Sequence, residues 1–258
     1  MMADIIDYKI FGDDMQLVEI ELDPGEGCRA EVGAMMYMEN DIEMQTNTGG
    51  GLFKGFKRML TGDSFFISTF LQNGQGKGHV AFGAPYPGKI IPLPLNELGG
   101  EFLCQKDAFL CAAQGIDIDI AFTKKLGAGL FGGEGFILQR LTGDGLAFVH
   151  AGGTVIEKHL APGERFRVDT GCLVGMQPGV DFDIKFVGGF KNALFGGEGL
   201  FLAELTGPGM VYLQSLPFSR LADRIMAAAR SGNRGESKGA AGLGGDILGG
   251  LISGDRKF

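Results

Sequence analysis

The chain has 258 residues, 45% hydrophobic and 21% charged, which suits one large β domain or two small domains with a sizeable core. Its net charge of −8 is unevenly placed: seven Lys/Arg against four Asp/Glu put Ser219–Phe258 at +3, leaving −11 for Met1–Phe218. An acidic body repels phosphate backbones and disfavours a nucleic-acid partner, and no apolar run reaches the roughly 18 residues that span a bilayer.

In chain order, Met1–Phe11 alternates charged with apolar residues and lacks the basic start and apolar stretch of a signal peptide, so a cytoplasmic protein is expected. Next, Pro24-Gly25-Glu26, Arg29, Gly33 and Met38 recur as Pro162-Gly163-Glu164, Arg167, Gly171 and Met176 at a constant offset of 138. Lys54, Lys57 and Arg58 interleave with Phe53 and Phe56, a pattern that can touch RNA or an anionic membrane. In an acidic body the blander reading is favoured, with the phenylalanines packed inward and the charges wet. Leu60-Thr61-Gly62 matches Leu141-Thr142-Gly143 and Leu205-Thr206-Gly207, at intervals of 81 and 64 residues. The surplus of 17 is assigned to Gly74–Pro94, which holds Ala84-Pro85-Tyr86-Pro87-Gly88 and Pro92-Leu93-Pro94. Prolines at that density predict a loop or edge excursion, the place where a repeat protein carries its specificity.

Further on, Ile116–Phe122 and Val180–Phe186 alternate apolar with acidic residues at period two, the mark of a strand with one wet face. Leu130-Phe131-Gly132-Gly133-Glu134-Gly135 recurs 64 residues later as Leu194-Phe195-Gly196-Gly197-Glu198-Gly199, with Leu52-Phe53 a weaker first copy. Gly135–Leu141 and Gly199–Leu205 read as strands ending at Thr-Gly turns, and Leu146–His150 and Met210–Leu213 as their return strands. Landmarks sharing offsets, in a chain with 46 glycines, predict an all-β fold of three repeats packed with pseudo-threefold symmetry. Ser219 is placed to cap a helix over Arg220–Arg230 in which Leu221, Ile225, Met226 and Ala229 share a face. The glycine-rich tail beyond it reads as flexible, so the domains are 1–218, 219–230 and 231–258. Candidate contact residues are Lys54, Phe56, Lys57, Arg58, Tyr86, Arg220 and Arg224.

Residues that carry chemistry are few and scattered. Gly127-Ala128-Gly129-Leu130-Phe131-Gly132 matches a dinucleotide fingerprint, but the mechanism needs a helix next, and further glycines and a β-like run follow instead. His79, His150 and His159 do not cluster, and the last two read as solvated or turn residues. Glu134 and Glu198 match in position but sit in glycine-rich turns, where a solvated charge is the plainer reading. Cys28, Cys104, Cys111 and Cys172 contain no C-x-x-C pair and read as reduced, buried residues. No catalytic residue, metal ligand or cofactor is expected.

Together the early Pro-Gly-Glu segment, the Leu-Phe-Gly-Gly-Glu-Gly motifs and the repeated Leu-Thr-Gly resemble the mitochondrial biogenesis AIM24 family over about Asp7–Phe218. The resemblance implies a fold like that of the tryptophan RNA-binding attenuation protein (TRAP), a double-stranded β-helix type of sandwich that assembles into rings. It carries over no catalytic residue. Eukaryotic members are mitochondrial and linked to inner-membrane organisation, a location that does not carry over because no transit peptide is evident. The expected function is a non-enzymatic, homo-oligomeric scaffold that binds a protein or membrane-associated partner through Gly74–Pro94 or the C-terminal tail. An RNA- or small-ligand-binding ring ranks second and a metal-dependent enzyme third.

Overall fold

The computed structural model describes residues 2–45, 67–124, 135–187 and 200–229. The chain divides into two compact units, Met1–Pro217 and Phe218–Phe258. Among the described residues the first unit is mostly β, and all of its strand pairs are antiparallel.

The chain opens with β1 (Asp7–Phe11), β2 (Leu17–Leu22) and β3 (Gly27–Glu31), then a 3-10 turn at Val32–Ala34, β4 (Met35–Met38) and β5 (Ile42–Gln45). It continues with β6 (Ile67–Gln72), β7 (Gly78–Gly83), β8 (Gly88–Pro94) and β9 (Glu101–Gln105). A second 3-10 turn at Lys106–Ala108 leads into β10 (Phe109–Ala113), β11 (Asp117–Lys124), β12 (Phe136–Thr142) and β13 (Leu146–Gly152). Next come β14 (Val155–Leu160), β15 (Arg165–Asp169), a turn at Thr170–Cys172 and β16 (Leu173–Met176). The last strands are β17 (Asp181–Val187), β18 (Leu200–Thr206) and β19 (Gly209–Gln214). The sheets run β1-β2-β7-β4, β5-β6-β3-β10-β13-β8, β11-β12-β9-β16-β19-β14 and β15-β18-β17.

Period-two patterning explains these strands. In β2, Val18, Ile20 and Leu22 are fully buried and Glu19 and Glu21 stay partly wet. Burying each of those apolar side chains stabilises the sheet by about 2 kcal/mol. The acidic-apolar run expected from Ile116 forms β11, paired with β12 from Asp117 opposite Thr142 to Lys124 opposite Phe136. Its later match forms β17, paired with β18 along its length. Phe70, Phe82, Phe102 and Phe148 fill one apolar core, where Phe70 and Phe82 meet edge to face at 5.2 Å. Phe136, Leu138, Met176 and Val211 belong to a second.

The two Pro-Gly-Glu segments form the same turn. Gly25 and Gly163 hold φ of 90° and 76°, a region that suits glycine, and the following glutamates reach back to the chain. Glu26 accepts the Asp23 amide and Glu164 the Ala161 amide, each at 2.9 Å. Glu26→Ala is expected to lower stability by about 1 kcal/mol in urea denaturation, with Glu26→Gln keeping most of the loss at bay.

Three expectations are corrected here. Gly74–Pro94, expected as a loop or edge excursion, is an edge only in part: β8 pairs with β13 over seven residues and ends its sheet, whereas β7 lies inside the first sheet between β2 and β4. Pro92 and Pro94 are tolerated because β8 ends its sheet, so a missing N–H breaks no ladder on that side. Counted from strand starts, β6 to β12 spans 69 residues and β12 to β18 spans 64, so most of the surplus of 17 arises because Leu60-Thr61-Gly62 stands ahead of β6 in the chain. The three Leu-Thr-Gly motifs are also not alike in position. Those at 141–143 and 205–207 close β12 and β18 and turn into β13 and β19, whereas Leu60-Thr61-Gly62 lies outside the described residues, ahead of β6. Finally, the C-terminal helix covers 218–229, so Ser219 stands in its first turn and does not cap it.

Candidate functional site

The proline-rich stretch places Tyr86 between β7 and β8, where its ring meets that of His150 edge to face at 4.5 Å. Both are buried, Tyr86 at 6% exposure and His150 at 1%, which corrects the expectation of a solvated His150. Strand β13 carries His150 inward because its register with β8 puts Ile90 directly opposite. Glycines make the room: a Cβ on Gly88 would lie 2.5 Å from the His150 Nε2. Neither ring nitrogen of His150 has a hydrogen bond of ordinary geometry. Burial pulls its pKa down to about 4, slightly offset by the nearby Tyr86 backbone, and pushes the Tyr86 hydroxyl up to about 12. Both groups are neutral near pH 7, since burial disfavours the charged form of each.

The wet face of the first sheet is acidic. His79 on β7 lies between Glu39, 3.1 Å from its Nδ1, and Glu21, 3.3 Å from its Nε2. Burial works against its charge, but these carboxylates hold its pKa above the ordinary value. Lys77 pairs with Glu21, and the Tyr37 hydroxyl donates to Glu19. Among the described residues no group of three or more His, Cys, Asp or Glu is arranged to hold a metal ion.

The feature with the most capacity for binding is a pair of strand edges. The strands that follow the second and third 3-10 turns, β10 and β16, are paired on both sides: β10 with β3 and β13, β16 with β9 and β19. Strand β4, which follows the first 3-10 turn, pairs only with β7 among the described residues, and β15 only with β18. All three strands carry a bulge at the same place, between Met35 and Tyr37, Phe109 and Cys111, and Leu173 and Gly175. The bulged Leu110 and Val174 are buried in the first apolar core, while Met36 is 56% exposed and Tyr37 44%.

The side chains on β15 and β3 behave accordingly. Arg29 on β3 reaches across its junction and donates from Nη1 to the Ile116 carbonyl at 2.9 Å. Arg167, its sequence match on β15, instead pairs with Glu204 on its own sheet at 2.7 Å, its side chain 71% exposed. Lys185 also pairs with Glu204, and Arg167 and Lys185 together hold that carboxyl below its usual range, Lys185 the larger cause.

Of the contact residues expected from sequence, Lys54, Phe56, Lys57 and Arg58 lie outside the described residues, as do Glu134, Glu198, Gly127–Gly132 and the tail from 231. Tyr86 is buried against His150, and Arg220 and Arg224 are exposed on the helix. Cys28, Cys104 and Cys111 are buried free thiols and Cys172 is partly exposed. No described helix is long and apolar enough to cross a membrane. The edges of β4 and β15 were missed because Met35–Met38 and Arg165–Asp169 look like any half-buried strands. An arginine at the Arg167 position gives no signal either, since Arg29 stands at the matching place on β3, which is paired on both sides.

The model of the family described as mitochondrial biogenesis AIM24 matches residues 8–216. The chain is similar to an uncharacterised protein of Streptococcus pyogenes serotype M6, 29% identical over 217 residues that cover 81% of this chain and 85% of the other. It also superimposes on the crystal structure of a Streptococcus pyogenes protein with a TM-score of 0.72 at 24% identity, over 86% of this chain and 99% of that one. At that identity the likeness concerns the fold.

Proposed function

Because this chain belongs to the mitochondrial biogenesis AIM24 family, we propose that it is a non-enzymatic, homo-oligomeric scaffold whose work is binding. The observation that carries this reading is the pair of strand edges on β4 and β15, apolar on one side and cationic on the other, without strand partners among the described residues. Unpaired edges present rows of N–H and C=O groups that template pairing with another chain.

In this reading the first unit is three copies of one plan, related to TRAP-like proteins. Support comes from the recurring orders β5-β6-β3, β11-β12-β9 and β17-β18-β15, and from β2-β7-β4, β8-β13-β10 and β14-β19-β16. Each junction joins a strand like β3 to one like β10. A protein or membrane-associated partner fits the acidic wet face better than nucleic acid, since Glu19, Glu21 and Glu39 repel phosphate. A cytoplasmic setting remains part of the proposal.

The test is the solution mass by light scattering after size-exclusion chromatography, on the full chain and on one ending at Phe218. An oligomer is expected in both. Monomers in both, up to the highest soluble concentration, sink the scaffold reading.

A further inference from the structure

Resting on that reading, we infer that β15 of one chain pairs antiparallel with β4 of a second copy, with Val168 opposite Tyr37 and Arg167 opposite Met38. The register follows from the two junctions already formed. At the first, Ala30 faces Cys111 and Arg29 faces Ala112; at the second, Cys104 faces Gly175 and Leu103 faces Met176. Ala30 and Cys104 each stand two residues before a 3-10 turn, as does Val168. Cys111 and Gly175 each follow a bulge, as does Tyr37.

A second copy is the occupant because the chain carries both halves of this junction and, among the described residues, leaves both unfilled in the same molecule. Their chemistry is complementary: β4 offers Met36, Tyr37 and Met38, and β15 brings Val168 from its core and the stem of Arg167 to cover them. The geometry of the formed junctions shows that the fit needs no new backbone shape. In each, the bulged residue, Leu110 or Val174, is buried, the fate this pairing assigns to Met36. The contact is heterologous, since a surface meets a different surface, so it closes a ring or runs on as an open array. In the assembly Arg167 leaves Glu204 to Lys185 and turns toward the Ile42 carbonyl, as Arg29 turns to that of Ile116.

Full-length chains carrying Met38→Cys and, separately, Arg167→Cys are mixed and oxidised with diamide. A reducible two-chain product is expected in the mixture and not in either variant alone. The pair Tyr37→Cys and Val168→Cys is run beside it, because neighbouring pairs alternate between hydrogen-bonded and non-hydrogen-bonded types and the closer type crosslinks faster. Met38→Glu and Met38→Lys, placed opposite Arg167, are expected to shift the self-association constant in opposite directions, by up to about fivefold each. A chain carrying Met38→Cys and Arg167→Cys together that closes on itself as a monomer overturns the inference, as does a product formed by Met38→Cys alone. An oligomer by mass with neither mixed product also overturns it while leaving the scaffold reading intact; a monomer removes both.

Discussion

Between pH 6.5 and pH 4 the folded chain is expected to lose about 3 kcal/mol of stability through His150 alone, and His150→Gln to flatten that part of the curve. The ring is buried at 1% exposure, and burial holds its pKa down at about 4, against about 6.5 in the unfolded chain. Within that window the unfolded state binds the extra proton, so stability rises with pH. The contribution is complete above pH 6.5 and lost as pH falls toward 4. Gln is a natural replacement, because Gln214 on β19 opens the comparison: it accepts the Gly152 amide and donates to the Gly171 carbonyl, both at 2.8 Å. Guanidinium denaturation at a series of pH values reads the effect. An unchanged slope in His150→Gln would place the acid sensitivity elsewhere, with the carboxylates around Lys77 and His79 next in line.

Gly152→Ala is expected to destabilise the protein by about 3 kcal/mol or to abolish folding, by overpacking the same corner of the fold. A Cβ there would drive into the Leu216 carbonyl and sit 2.6 Å from the Tyr86 ring. Backbone cannot yield as a side-chain tip can, and Gly152 lies directly opposite Gly88 in the β8–β13 ladder, so strain spreads along both strands. Gly76→Ala, where a Cβ meets nothing within 4 Å, is the control and should change stability by less than about 0.5 kcal/mol. Equal losses in the two variants would show that backbone entropy and not space governs these glycines.

Much of the β architecture was legible because alternation is local. Ile116–Phe122 and Val180–Phe186 announced β11 and β17 by placing acids every second residue, although only part of each apolar side reaches a core: Ile184 is buried, whereas Ile120 is 42% exposed and Phe186 52%. The Pro-Gly-Glu segments were legible as a repeat, and their shared turn, with a left-handed glycine and a glutamate reaching back three residues, explains why the match recurs. Short motifs misled where they matched by composition alone. Leu60-Thr61-Gly62 shares three letters with the strand-ending motifs but not their place, and the error moved the apparent surplus onto Gly74–Pro94. The prolines of β8 left a loop and an edge strand both open, and the structure shows the edge strand.

By itself the sequence determined the β class, the strands that alternate, the Thr-Gly corners after β12 and β18, and the family, because each depends on local pattern or on matched residues along the chain. The tertiary structure alone decided that His150 is buried, that β7 is interior, and that β4 and β15 are each paired on one side only among the described residues. Those facts depend on which distant strands meet. A strand carries the same residues whether it is paired on one side or two, and only the neighbour across the ladder makes the difference.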